Sequence, residues 1–143
     1  MAKDGFDAIT DVRGLINIPS VLALLGTGGK VDPSIKTTGS DVKGIVVNLL
    51  GITNEQDQIA IGNVNCYAPA IISTINGKQV SLPNQAALST LAKAITPLID
   101  EQFKTKFRVW VEENATIVQD TDGSYFASIK FRYQSLQDNY TNI

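Results

Sequence analysis

The first residues whose types suggest chemistry are Gly26-Thr27-Gly28-Gly29-Lys30, because glycines ahead of a lysine can aim backbone N–H groups at a phosphate. The spacing departs from that of a phosphate loop. Leu24 stands where a glycine is required, Val31 stands where Ser or Thr is required, and the residues before the loop read as helix, not strand. A flexible loop is the better reading, and an enzyme working through Lys30 is the weakest of the functional classes. Asp120, Asp122 and Gly123 have the texture of a calcium loop, but Val118 cannot coordinate and no Glu closes the set, so Asp-Gly predicts a tight turn. Glu112 and Glu113 are neighbours, so on a strand their carboxylates point to opposite faces and cannot act as a pair. The chain has no histidine and one cysteine, Cys66, which removes the usual general base and most zinc sites. Cys66 lies in an apolar strand with no imidazole to lower its pKa, which predicts a buried, inert thiol. No catalytic, cofactor-binding or metal-binding residue is therefore expected. The chain reads as a domain that acts through its surfaces.

Composition bounds the rest. At 143 residues, 43% hydrophobic and with mean hydropathy +0.04, the chain is expected to form one domain with a core that needs no staples. Only 18% of residues are charged, which favours a subunit with buried surfaces. Twelve basic against fourteen acidic residues give a net charge of −2 and a pI near 5.0, no footprint for gripping DNA or an anionic membrane. The first residues lack the apolar stretch of a secretory signal, and the apolar run 15–25, broken by Asn17, Pro19 and Ser20, is too short to span a bilayer. Synthesis in the cytoplasm is expected. One cysteine allows no internal disulfide, and the sequons at Asn114 and Asn139 match only at a high chance rate.

The elements that must carry such surfaces follow from periodicity. Phe6, Ile9, Val12 and Arg13 sit at helical spacing, and Pro19 opens a second short helix that Gly26 stops. Residues 26–41 form a connection longer than the ~12–15 residues at which a loop is usually functional, a candidate partner-facing loop. Residues 42–50 are almost continuously apolar, as in a strand covered on both faces. Next, Ile59 and Ile61 alternate on one parity and Val64, Cys66 and Ala68 on the other, which predicts a bulge at Gly62-Asn63. Leu88, Leu91, Ala92, Ile95, Leu98, Ile99, Gln102 and Phe103 predict an amphipathic helix capped by Asn84, with Pro97 kinking or ending it near Thr96.

A final β-hairpin is expected from Phe107, Val109 and Val111 alternating with Arg108, Trp110 and Glu112, and from Tyr125 to Tyr133 likewise, with a parity slip near Glu113-Asn114. The expected fold is α+β, a mixed or antiparallel four-stranded sheet with helices on one face, in the order α-β-β-α-β-β. Trp110 and Phe126 fall on its outer face beside Arg108, Lys130 and Arg132, either covered by the same chain or offered to another subunit. Residues 135–143 form a polar tail anchored by Leu136, Tyr140 and Ile143.

Taken in order, the opening helix, Ile18-Pro19-Ser20-Val21-Leu22-Ala23-Leu24-Leu25-Gly26, the long loop, the strand Gly44-Ile45-Val46-Val47-Asn48, the run Ile59-Ala60-Ile61-Gly62-Asn63-Val64-Asn65-Cys66-Tyr67-Ala68, the helix and the hairpin Ala127-Ser128-Ile129-Lys130-Phe131-Arg132-Tyr133 resemble the tail-completion and tail-terminator proteins of tailed bacteriophages. The resemblance covers nearly the whole chain and is one of order and texture. Pro97 and the polar tail depart from it. It implies a non-enzymatic virion protein that forms a hexameric ring at the neck, caps the tail tube and joins it to the portal side. Its partners would be copies of itself, tail-tube protein and neck proteins, with DNA passing through unbound. Ring contacts between identical subunits are heterologous, and the candidate interface residues are Lys30, Arg108, Trp110, Phe126, Arg132, Tyr140 and Ile143. The alternative is a small-ligand or peptide-binding α+β module acting as monomer or dimer.

Overall fold

The computed structural model describes residues 3–53, 58–121 and 123–136. It is α+β, with three helices on one face of a mixed six-stranded sheet and a separate two-stranded hairpin. The chain runs α1 (Gly5–Ile16), α2 (Pro19–Leu25), β1 (Lys30–Pro33), β2 (Gly44–Ile52), β3 (Ile59–Ala68), β4 (Ile71–Ile75), β5 (Lys78–Leu82), α3 (Gln85–Ile99), β6 (Gln102–Phe103), β7 (Phe107–Gln119) and β8 (Tyr125–Ser135). The large sheet has the order β1-β2-β3-β8-β7-β6, antiparallel except where β1 runs parallel to β2.

The expected four strands, β2, β3, β7 and β8, form the middle of this sheet, and both edges were unforeseen. At one edge, four residues of the expected loop 26–41 pair as β1. At the other, Gln102 and Phe103 leave the expected helix and pair with Val109 and Arg108 as β6. The helix stops at Ile99 because Asp100 takes extended dihedrals and Glu101 a left-handed φ of 53°. Pro97 sits in its last turn, removing the bond to the Lys93 carbonyl, and the helix continues past the expected end near Thr96 by only three residues.

The bulge expected at Gly62-Asn63 lies instead in β2. The register passes from Leu49↔Gly62 to Gly51↔Ile61, leaving Leu50 as the extra residue. β3 keeps one parity throughout, so Ala60, Val64, Cys66 and Ala68 face the helices while Ile59 and Ile61 face away. The slip expected near Glu113-Asn114 is present, as register shifts between Val111 and Glu113 and between Glu113 and Thr116.

One core joins the layers. Val12 and Ile16 of α1, Val21 and Leu25 of α2, and Leu88, Leu91, Ile95 and Ile99 of α3 pack on Ile45, Val47, Val64, Ile129, Phe131 and Tyr133. Asp4 caps α1 in a reciprocal box: the Asp7 amide donates to its carboxylate at 2.9 Å, and its own amide donates to Asp7 at 3.1 Å. Lys3 anchors the chain ahead of α1. Its ammonium meets Asp11 at 2.7 Å and donates to the Tyr133 hydroxyl at 3.1 Å, while the Tyr133 hydroxyl donates to the same carboxylate. Burial, and then the Asp11 bond, hold the Tyr133 phenol protonated far above the ordinary tyrosine range.

Candidate assembly surfaces

The two turns that looked chemical are used by the fold. Gly26 and Gly28 take left-handed φ of 76° and 80° to end α2, and a Cβ on Gly29 would collide with Leu25. The Gly26 amide donates to Leu22 and the Gly29 amide to Gly26, so these N–H groups are committed. After Asp120, the Thr121 amide donates to the carboxylate at 2.7 Å, the Gly123 amide donates to the Asp120 carbonyl at 3.0 Å, and Gly123 has φ 87°. That is a tight turn. Asp122 of the same motif lies outside the described residues. Among the described residues no group of three or more His, Cys, Asp or Glu could hold a metal ion, and no single helix is long and apolar enough to cross a membrane. Cys66 is fully buried, and burial pushes its thiol up to about 12, so it remains protonated at neutral pH and is a poor nucleophile.

The outer face of the sheet collects most of the residues expected at an interface. Trp110 stands directly across from Arg132, which stands across from Ile61. The Arg132 guanidinium meets Glu112 at 2.6 Å, and Lys130 meets Glu113 at 3.7 Å. Phe126 pairs with Tyr67, ring centroids 4.9 Å apart, and both rings are half-buried. Arg108 is exposed, its guanidinium 5.9 Å from the centroid of exposed Phe103. Lys30 shares this face, in register with Gly44 and through it with Tyr67 and Phe126, but three strand spacings of ~4.8 Å separate it from Phe126. The structure thus joins Arg108, Trp110 and Arg132, places Phe126 on the same face, and sets Lys30 apart at the sheet's far side. Tyr140 and Ile143 lie outside the described residues.

Segment 34–42 folds over part of this face. Val46, on the outer face of β2, is 2% exposed, which is the two-sided covering that its apolar strand predicts. Buried Asp32 anchors the segment by accepting from the Thr37 amide and hydroxyl, and the Lys36 ammonium lies 5.6 Å from the Tyr67 ring. A pocket of about 350 Å³ remains beneath it, lined among others by Lys36, Thr38, Asn48 and Tyr67.

Two further surfaces escaped the sequence reading. The first is an arm, residues 71–82, in which β4 and β5 meet at Asn76-Gly77 with φ of 52° and 77°, a turn with two left-handed residues. Its register puts Ile71, Ile75, Val80 and Leu82 on one face, and Ile72, Thr74, Gln79 and Ser81 on the other. The Tyr125 hydroxyl donates to the Ser81 carbonyl and ties the arm's root to β8. The second is a groove of about 620 Å³ between α3 and the far half of β7, lined by Leu88, Ala92 and Pro97 on one side and Ala115 and Ile117 on the other.

The two sheet edges are finished differently. On β1, Arg13 Nε donates to the Val31 carbonyl at 2.7 Å and Pro33 has no N–H to offer. On β7, β6 pairs with two residues and Asp100 accepts from the Val111 amide at 2.9 Å, and beyond Val111 this side of the strand has no pairing strand among the described residues.

A solved structure shares this architecture. Over 92% of this chain and 94% of the other, the fold matches a chain of a structure described as "Virion of native gene transfer agent (GTA) particle", with a TM-score of 0.54 and 11% sequence identity. At that identity the likeness is one of fold. No protein-family model matches the sequence, and no curated protein matches it.

Proposed function

We propose that this chain is a structural component of a phage-like virion, a subunit that assembles with copies of itself and with other virion proteins and does not act as an enzyme. The observation that carries this reading is the fold likeness to a chain of a gene transfer agent particle, which spans nearly the full length of both chains. Residue chemistry supports it: there is no histidine, the single thiol is buried and protonated, and the Gly26 and Gly29 amides of the glycine-rich turn are bonded to backbone carbonyls. Within that reading the chain forms a hexameric ring at the junction of tail and neck, caps the tail tube and connects it to the portal side. The outer-face residues Lys30, Arg108, Trp110, Phe126 and Arg132, with Tyr140 and Ile143 of the tail, contribute contacts. A net charge of −2 suits a conduit through which DNA slides without being held.

Sedimentation of the purified chain, alone and mixed with tail-tube protein, tests this, together with gold-labelled antibody on intact particles. Ring-sized species and a single label at the head–tail junction are expected. A monomer under every condition, or label along the tail or over the capsid, removes the reading. A second reading, a small-ligand module, is favoured by the 350 Å³ pocket beneath segment 34–42. It calls for saturable binding that Tyr67→Ala abolishes.

A further inference from the structure

The tip that joins β4 to β5 carries the one asparagine of the sequence that is followed by glycine. Asn76 and Gly77 are both exposed, and a Cβ built on Gly77 would meet no atom within 4 Å, so the tip has room to twist. Neither the Asn76 carboxamide nor the Gly77 amide has a hydrogen-bond partner among the described residues. Glycine has no side chain to shield its nitrogen, which makes it the least obstructed neighbour an asparagine can have. Other asparagines are held differently. Asn65 is buried, Asn48 and Asn63 are half-buried in paired strands, and Asn84 spends its side chain on capping α3.

We propose that Asn76 is a site of spontaneous modification: the chain converts this side-chain amide to a carboxylate, and the isoaspartate fraction of the product undoes the arm's turn. The Gly77 nitrogen, after giving its proton to hydroxide, attacks Asn76 Cγ. The new C–N bond closes a cyclic imide as the Cγ–Nδ2 bond breaks, and ammonia leaves with a proton taken from water. Water then opens the imide. Cleavage of the new bond gives aspartate, and cleavage of the former peptide bond gives isoaspartate, whose main chain runs through Cγ. One water is consumed and one ammonia released, and nothing is oxidised or reduced.

The two products differ in what they do to the arm. Aspartate tolerates the left-handed φ of 52° that position 76 holds, so the turn survives with a new negative charge near Lys78, the arm's only charged residue. Isoaspartate lengthens the main chain by one atom inside a two-residue turn, and that turn sets the pairing of Ile75 with Lys78 and of Thr74 with Gln79. The hairpin then loses its register, and with it the apolar face of Ile71, Ile75, Val80 and Leu82, while the core, to which the arm contributes no residue, is untouched.

Full-length protein held in mildly alkaline buffer, with the free peptide 74–80 as a clock, tests this by tandem mass spectrometry. The protein is expected to gain the mass of an NH2-to-OH exchange at Asn76 ahead of every other asparagine, no more than tenfold slower than the peptide, and more slowly as pH falls towards neutral. Hydrogen exchange of the isoaspartate fraction is expected to quicken at least tenfold across residues 71–82 and to stay unchanged in α1, α3 and β8. Asn76→Asp, which carries the charge without the altered linkage, exchanges like fresh wild type. A protein that keeps Asn76 while the peptide converts, or that converts another asparagine first, overturns the site. An isoaspartate form whose arm exchanges like fresh wild type, or an Asn76→Asp arm that opens as far, overturns the release of the turn by the altered linkage. None of these outcomes depends on whether the chain assembles.

Discussion

Phe131 fills the space that a side chain would need at position 62: a Cβ on Gly62 would lie 2.6 Å from Phe131 Cζ and closer still to the Asn48 carbonyl oxygen. The glycine in the middle of β3 is the counterpart of the largest apolar side chain in the centre of the sheet, and both are fully or nearly fully buried. Gly62→Ala therefore overpacks the core and is expected to cost about 1–3 kcal/mol, read from the shift in urea midpoint at unchanged slope. Gly62→Ala combined with Phe131→Leu should recover part of that loss. An unchanged midpoint in the single variant would mean that the sheet yields freely at this point.

Tyr133→Phe removes the donor to Asp11 without changing core volume, and is expected to destabilise by about 1.5 kcal/mol at neutral pH. The phenol's folded pKa is raised, so the sign follows: above about pH 10 the unfolded chain loses this proton while the folded chain keeps it, and stability falls as pH rises. In Tyr133→Phe that part of the alkaline slope disappears. Equal slopes in the two proteins above pH 10 would show that Asp11 and burial do not hold the proton.

Cys66 begins the same loss earlier. Its thiol is raised to about 12, so from about pH 9 the unfolded chain ionises first and stability declines by at most ~1.4 kcal/mol per pH unit from this group. Cys66→Ala should lower stability at pH 7 yet show a shallower decline between pH 9 and 10. A disulfide reagent should leave the native thiol untouched and titrate it on unfolding. Rapid labelling of the folded protein would contradict its burial.

The arm stands apart from the core, so replacing residues 71–82 by a two-glycine link between Ala70 and Pro83 should leave Tm within a few degrees of wild type. The link is short enough because Ile71 and Leu82 are cross-strand partners, which brings the ends together. A collapse in Tm would mean that the arm supports the domain that bears it.

How much of this was legible in the sequence depends on who supplies the pairing partner. β8 was readable residue by residue because its alternation is strict and its inner parity is buried from Ala127 to Ser135. α1 and α3 were readable for the same reason. β1 and β6 were not, since four and two residues are too few to show a period and owe their strand geometry to β2 and β7. In β3 the apolar residues of both parities suggested a bulge, whereas Ile59 and Ile61 lie on the outward face of an unbroken strand. The arm did carry a local signal, Asn76-Gly77 between alternating apolar residues, the strongest short-range hairpin pattern a sequence offers. Of the expected interface residues, the cross-strand grouping of Trp110 and Arg132 followed from hairpin parity. The separation of Lys30 required the strand order, which no local pattern encodes.

The guanidinium that shuts the β1 margin belongs to α1 and not to the sheet it protects. A nascent chain whose N-terminal helix has not yet docked is therefore adhesive along that margin. Colloidal safety in the crowded producing cell is thus tied to the order in which the pieces come together.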